Sequence, residues 1–171
     1  MKKTTYSLRP LQPKDASRML EWMHDEDTTQ FLRLDGKSAT IETTLKFIDA
    51  ATNEGSNLHR AIVDIQDSYL GTVSLKNIDL EKQEAEYAIS MHPCARGTGA
   101  AFDATKQILK IAFEEQGLRR VYLNVLEENK RAIRFYEKLE FEYKMTTDTV
   151  FYNSTHKLRW YDKNRKESKK T

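Results

Sequence analysis

The chain has 171 residues, of which 39% are hydrophobic and 32% charged, and its net charge is +2. That length fits one domain and buries roughly 70% of its unfolded surface, enough for a core without disulfides or metals. The composition excludes a disordered chain, and the near-neutral charge commits it to neither nucleic acid nor membrane.

The single cysteine, Cys94, permits no internal disulfide and fits a reducing, cytoplasmic compartment. Met1–Pro10 lacks the apolar run of a signal peptide, and no stretch approaches 18 apolar residues, so neither export nor a membrane span is expected. The domain is expected over residues 1–162. Lys163–Thr171 is expected as a basic, disordered tail.

Tyr6–Pro10 alternates and predicts a first strand. Pro13-Lys14-Asp15 opens a helix to about His24, with Ala16, Met19, Leu20 and Met23 at helical spacing. Ser38 or Thr40 can cap a second helix, with Leu45, Phe47 and Ile48 expected on its inner side. Asn53–Asn57 is a loop. His59–Ile65 and Ser68–Asn77 follow as strands, joined by a hairpin at Asp64–Ser68. Glu84–Met91 is another strand. Its period of two puts Glu84, Glu86, Ala88 and Ser90 on one face and Ala85, Tyr87, Ile89 and Met91 on the other.

His92-Pro93 ends that strand, because proline cannot donate to a ladder. A glycine-containing loop leads into a helix from about Gly99 to Gln116, with Gly117 suited to its C-terminal cap. Arg120–Leu126 reads as a strand and Lys130–Lys138 as a helix. Phe141–Tyr143, Val150–Tyr152 and Lys157–Tyr161 complete the strands. The strand–loop–helix–strand unit requires a parallel pair with a right-handed crossover, so the class is mixed α/β.

Arg96-Gly97-Thr98-Gly99-Ala100-Ala101 lies after a strand and before a helix. The first turn of a helix has unpaired N–H groups and a partial positive charge, and small residues let a phosphate approach them. The segment lacks the Gly-Lys-Ser/Thr of a P-loop, and Phe102 breaks the dinucleotide pattern G-x-G-x-x-G. Alone, it is equally a diphosphate site or an ordinary strand–helix turn.

The next 45 residues alter that balance. Arg96-x-x-Gly99-x-Ala101 resembles the cofactor signature of the GNAT superfamily of N-acetyltransferases, and Asn129 through Tyr136 to Leu139-Glu140-Phe141 resembles its second motif. The likeness is clear over about Glu84–Tyr143. It is nearest to the branch of ribosomal-protein alanine, spermidine and amino-sugar-nucleotide acetyltransferases. The resemblance implies a single-domain GNAT fold: a mixed central sheet, splayed between its fourth and fifth strands and flanked by helices, with acetyl-CoA wedged into the split.

The resemblance also implies roles. Backbone N–H groups of Arg96, Gly97, Thr98, Gly99, Ala100 and Ala101 would hold the pyrophosphate. Main-chain groups of Ile89, Ser90 and Met91 would pair with the pantetheine arm like an added strand. Asn129 would cap its helix and contact the cofactor. Tyr136 is the expected general acid for the leaving thiolate, against the alternative of a packed core tyrosine. Glu86 is the expected base for the acceptor ammonium, with Glu84 as the fallback. Asn124 stands where some relatives carry a Glu base and, as an amide, cannot serve.

Two departures matter. Glu140 replaces the usual glycine of Leu-Gly-Phe, so the turn tolerates a side chain or changes conformation. Thr98 replaces a usual lysine, which removes one cation near the phosphates. Cys94 is expected as a filler or loop thiol, and His24, His59, His92 and His156 have no ligand spacing, so no metal is implied.

The acceptor is expected to be a primary amine of a small molecule such as an amino-sugar nucleotide. A protein N-terminus, a polyamine, and a non-catalytic acyl-CoA-binding module are the alternatives. Trp22, Met23, His24, Asp25, Glu26, Asp27, Phe31 and Arg33 form a mixed acidic and aromatic stretch suited to an amine. A homodimer is an expectation from the family alone.

Overall fold

The computed structural model describes residues 5–32, 35–144, 151–152 and 156–166, with 151–152 and 156–157 described by their backbone. The strands are β1 Ser7–Arg9, β2 Leu58–Val63, β3 Tyr69–Asp79, β4 Glu84–Met91, β5 Arg120–Leu126, β6 Glu142–Lys144, β7 Phe151–Tyr152 and β8 His156–Asn164. The helices are α1 Ala16–Met23, α2 Glu26–Thr29, α3 Ile41–Ala51, α4 Ala100–Lys110 and α5 Lys130–Lys138.

The sheet runs β1-β2-β3-β4-β5-β8-β6, with β7 added to β8. All pairs are antiparallel except β4 and β5, which are parallel as the crossover through α4 requires. β4 keeps its pairing with β3 from Glu84 to Met91. With β5 it pairs only over Glu84–Arg120, Ala85–Val121 and Glu86–Tyr122. Beyond Glu86 the two strands part. This is the expected splay between the fourth and fifth strands.

Each face of the sheet carries its own core. One packs Ile62, Val73, Leu75, Ala85, Leu123 and Tyr161 beneath α4 and α5, through Ala104, Ile108, Ile133 and Tyr136. The other sets Ala61, Val63 and Tyr69 against Met19 and Trp22 of α1 and Ile48 of α3. Arg9 fixes the chain's entry into α1: its guanidinium forks onto buried Asp15 at 2.8 and 2.9 Å. Bidentate geometry of this kind is the strong form of an ion pair.

Local departures have local causes. The helix expected from Gly99 to Gln116 is α-helical over Ala100–Lys110 and then widens into a π turn at Ile111–Glu115. Gly117, at φ 67°, ends it as expected. In α3, Thr40 caps through Thr43 N–H at 3.1 Å. The buried residues there are Thr44 and Ile48, whereas Leu45 and Phe47 are each 39% exposed. Leu45 and Phe47 were expected inside, and Thr44 takes that place because its hydroxyl donates to Thr40 O at 2.8 Å instead of needing water. Glu140 keeps the turn that glycine usually makes, at φ +63°. The final strand extends through Lys163 and Asn164, which pair with Val121 and Arg120, so these two residues belong to the sheet. Val150 and residues 167–171 lie outside the described residues.

Candidate active site

A cleft of about 600 Å³ opens where β4 and β5 part. It passes through the split and joins the α5 side of the sheet to the α1 and α3 side. Ile89, Asn129, Ala132 and Tyr136 line it toward α5, and Trp22, Met23, Phe31, Phe47, His59, Ser74, Lys76, Glu86 and Ser90 toward α1 and α3.

The sheet register explains its polar floor. On β3, Thr72, Ser74 and Lys76 pair with Ser90, Ala88 and Glu86 of β4, and His59 of β2 pairs with Ser74. Direct partners in an antiparallel ladder share a face. Four strand positions that would carry apolar residues under covering helices carry His, Ser, Lys and Glu instead. Small Ala88 leaves room between Ser74 and the split.

Glu86 lines the cleft, half-buried, with Lys76 Nζ 3.7 Å from its Oε2. Glu84 does not line it: Arg120 Nη1 donates to Glu84 Oε2 at 2.7 Å, at the closed end of the split. Glu84 is thereby committed to holding the strands, which removes the fallback base.

Tyr136 is buried, edge-on to Tyr87 with ring centroids 5.7 Å apart. Burial pushes its phenol well above the usual tyrosine value, and the Tyr87 hydroxyl offsets part of that. Tyr87 in turn meets Thr105 Oγ1 at 2.8 Å and is also pushed up by burial. Both phenols therefore stay protonated at neutral pH. Packing and proton donation are compatible here, since Tyr136 is a core side chain that also reaches the cleft.

Asn129 caps α5 by accepting from Ala132 N–H at 3.2 Å and also lines the cleft. Asn124 lines it from β5. β4 residues 87–91 have no strand partner on the β5 side among the described residues. Their outer main-chain groups are thus available to an extended ligand.

The glycine loop lies outside the cleft's lining. Gly97 and Gly99 hold φ +75° and +85°, a region where other residues are strained, and a Cβ built on either meets nothing within 4 Å. Thr98 fixes the loop: its hydroxyl donates to Ala95 O at 2.6 Å and lies 3.2 Å from Ala100 N. The N–H groups of Ala101 and Phe102 have no carbonyl one turn behind them in α4. Open space beside a helix N-terminus fits a diphosphate. Arg96 is turned away from a lone phosphate role: its Nη2 lies 3.1 Å from Thr28 Oγ1 and 3.3 Å from Asp25 Oδ2.

Of the acidic and aromatic stretch, Trp22, Met23 and Phe31 reach the cleft, whereas Asp25, Glu26 and Asp27 do not. Arg33 lies outside the described residues. Trp22 Nε1 donates to the Tyr69 hydroxyl at 3.0 Å, which meets Thr72 Oγ1 at 2.6 Å. Cys94 is an exposed thiol 3.0 Å from Arg18 Nη2. Among the described residues no group of His, Cys, Asp and Glu could hold a metal. Likewise, no helix there is long and apolar enough to cross a membrane.

A parallel pair that parts after three residues, with a glycine loop leading into α4, is the geometry that the two sequence motifs imply. A family model described as an acetyltransferase (GNAT) domain matches residues 6–142. The chain belongs to the GNAT acetyltransferases. Its reaction is therefore acetyl transfer from acetyl-CoA to an amine. The spermidine N(1)-acetyltransferase of Escherichia coli K12 is 28% identical over 139 residues, covering 78% of this chain and 71% of that one. An uncharacterized N-acetyltransferase, p20 of Bacillus licheniformis, is 24% identical over 139 residues, covering 80% and 78%. The crystal structure of spermidine N-acetyltransferase from Vibrio cholerae in complex with CoA and spermine superposes with a TM-score of 0.84 at 18% identity. It covers 95% of this chain and 96% of that one.

The sequence reading missed His59, Ser74 and Lys76. A signal was present: Thr72, Ser74 and Lys76 alternate on β3 in phase with Glu86, Ala88 and Ser90 on β4. Polar alternation on a helix-covered sheet face marks a cleft rather than a core.

Proposed function

We propose that the acceptor is a primary amine of a small, linear polyamine. One observation carries this reading: the acceptor end of the cleft joins a carboxylate, Glu86, to an apolar channel of Trp22, Met23, Phe31 and Phe47. Methylenes suit the channel and an ammonium suits the carboxylate. The named activity of the Escherichia coli relative supports the polyamine over the amino-sugar nucleotide expected from sequence.

In this reading, main-chain groups of Ile89, Ser90 and Met91 hold the pantetheine arm along the unpaired side of β4. N–H groups from Arg96 to Ala101 hold the pyrophosphate, and Asn129 steadies the arm from the head of α5. Glu86 removes a proton from the acceptor ammonium, directly or through one water. The freed nitrogen lone pair attacks the thioester carbonyl carbon and the C–S bond breaks. Tyr136 donates its proton to the departing thiolate. The proton that the nitrogen sheds after attack restores the Tyr136 phenol, directly or through water, so the products are the N-acetylated amine and the CoA thiol, and the one proton taken by Glu86 returns to water.

The test is thiol release from acetyl-CoA with spermidine, spermine, an amino-sugar nucleotide and a peptide beginning with alanine. Spermidine or spermine should give the highest kcat/KM. Preference for the sugar nucleotide or the peptide would overturn the reading.

A further inference from the structure

His59 is held on two sides. Its Nδ1 lies 2.6 Å from Ser74 Oγ, and its ring stands edge-on to Phe47 with centroids 4.9 Å apart. Among the described residues its Nε2 has no hydrogen-bond partner, and the ring lines the cleft. Two inter-strand spacings, roughly 10 Å, separate β2 from β4, and the His59 row lies about 7 Å along the strands from the Glu86 row. The imidazole thus sits at the far end of the floor from Glu86, with Trp22, Met23 and Phe47 over the space between.

We propose that His59 is a specificity-determining residue whose free ring nitrogen accepts an N–H from the second nitrogen of a linear diamine or polyamine acceptor. The proposal rests on the polyamine reading above. The role requires the tautomer in which Nδ1–H donates to Ser74 Oγ, which leaves the Nε2 lone pair facing the cleft. Burial holds the ring in its neutral form, helped by Lys76 and Arg60, so it accepts rather than repels a cationic nitrogen. The charged groups around it are accounted for: Lys76 pairs with Glu86, Arg60 pairs with Glu54 at 2.5 Å, and Asp35 lines the same cleft.

The experiment compares spermidine and 1,4-diaminobutane with 1-aminobutane, which lacks the second nitrogen. Each is read as substrate or as competitive inhibitor, on wild type, His59→Leu and His59→Gln. His59→Leu should raise KM for the diamines on the order of five-fold, the worth of one hydrogen bond, with kcat unchanged. The constant for 1-aminobutane should not move, and His59→Gln should restore most of the diamine affinity. A CoA-induced thermal shift equal to wild type checks that each variant folds. Equal shifts for diamine and monoamine, or no shift for either, would overturn the role of His59 alone. Wild type that acetylates other amines but no diamine would overturn the acceptor reading as well.

Discussion

Arg120 Nη1 donates to Glu84 Oε2 at 2.7 Å across the closed end of the β4–β5 split, and its Nε donates to Asp162 Oδ2 at 2.8 Å on β8. One guanidinium thus ties three strands at the first of the three residue pairs that join β4 and β5. The second Asp162 oxygen is buried without a hydrogen bond among the described residues, with Lys144 Nζ 3.5 Å away. Removing the arginine leaves a buried carboxylate with one distant cation.

Arg120→Met should therefore destabilise the fold by about 2–3 kcal/mol, less than a fully buried pair because the arginine is partly exposed. Denaturant unfolding measures this. A loss below about 0.5 kcal/mol would mean that the tie is ornamental.

Tyr136→Phe should lower kcat by about 10²-fold or more while leaving CoA affinity unchanged, because only proton donation is lost. Burial raises the phenol, so ionisation of Tyr136 should produce no fall in activity up to about pH 10. Steady-state rates from pH 7 to 10 check both statements.

Glu86→Gln should lower kcat/KM by about 10²-fold at neutral pH. Lys76→Met removes a cation 3.7 Å from Glu86 and should lower KM for a cationic acceptor about two- to five-fold. The opposite sign for Lys76→Met would indicate an anionic acceptor.

Glu140→Gly should stabilise the chain by about 0.5–1 kcal/mol. The left-handed backbone costs a side chain roughly 1–2 kcal/mol, and the added freedom of glycine in the unfolded chain returns part of it. Thermal unfolding reads the shift in Tm.

His59 has its folded-state pKa below the unfolded value, so the unfolded chain binds the proton first. Its contribution to stability is complete above about pH 6.5 and is lost as pH falls below that toward the folded value. Between about pH 7.5 and 5.5, wild type should lose more Tm than His59→Gln.

Much of the frame is legible because its signals are local. Alternation marks β4 and β5 with the bounds observed, Asn129 and Lys130 open α5 where expected, and Gly97 and Gly99 announce a backbone that only glycine adopts freely. The order of elements then forces the parallel pair, and the resemblance carried by the Arg96–Ala101 and Asn129–Phe141 motifs implies the split. Tyr136, Glu86, Ile89, Ser90 and Asn129, taken from the family resemblance, all line the cleft.

Tertiary structure alone assembled the end of the cleft that is proposed to take the acceptor. His59, Ser74 and Lys76 come one or two to a strand, from β2 and β3, and only the sheet register brings them onto one floor with Glu86. The register also assigned Glu84 to Arg120, and the packing of α1 and α2 against the glycine loop gave Arg96 to Asp25 and Thr28. A periodicity reports which face a residue takes on its own element. It carries no information about which residue, dozens of positions away, stands opposite.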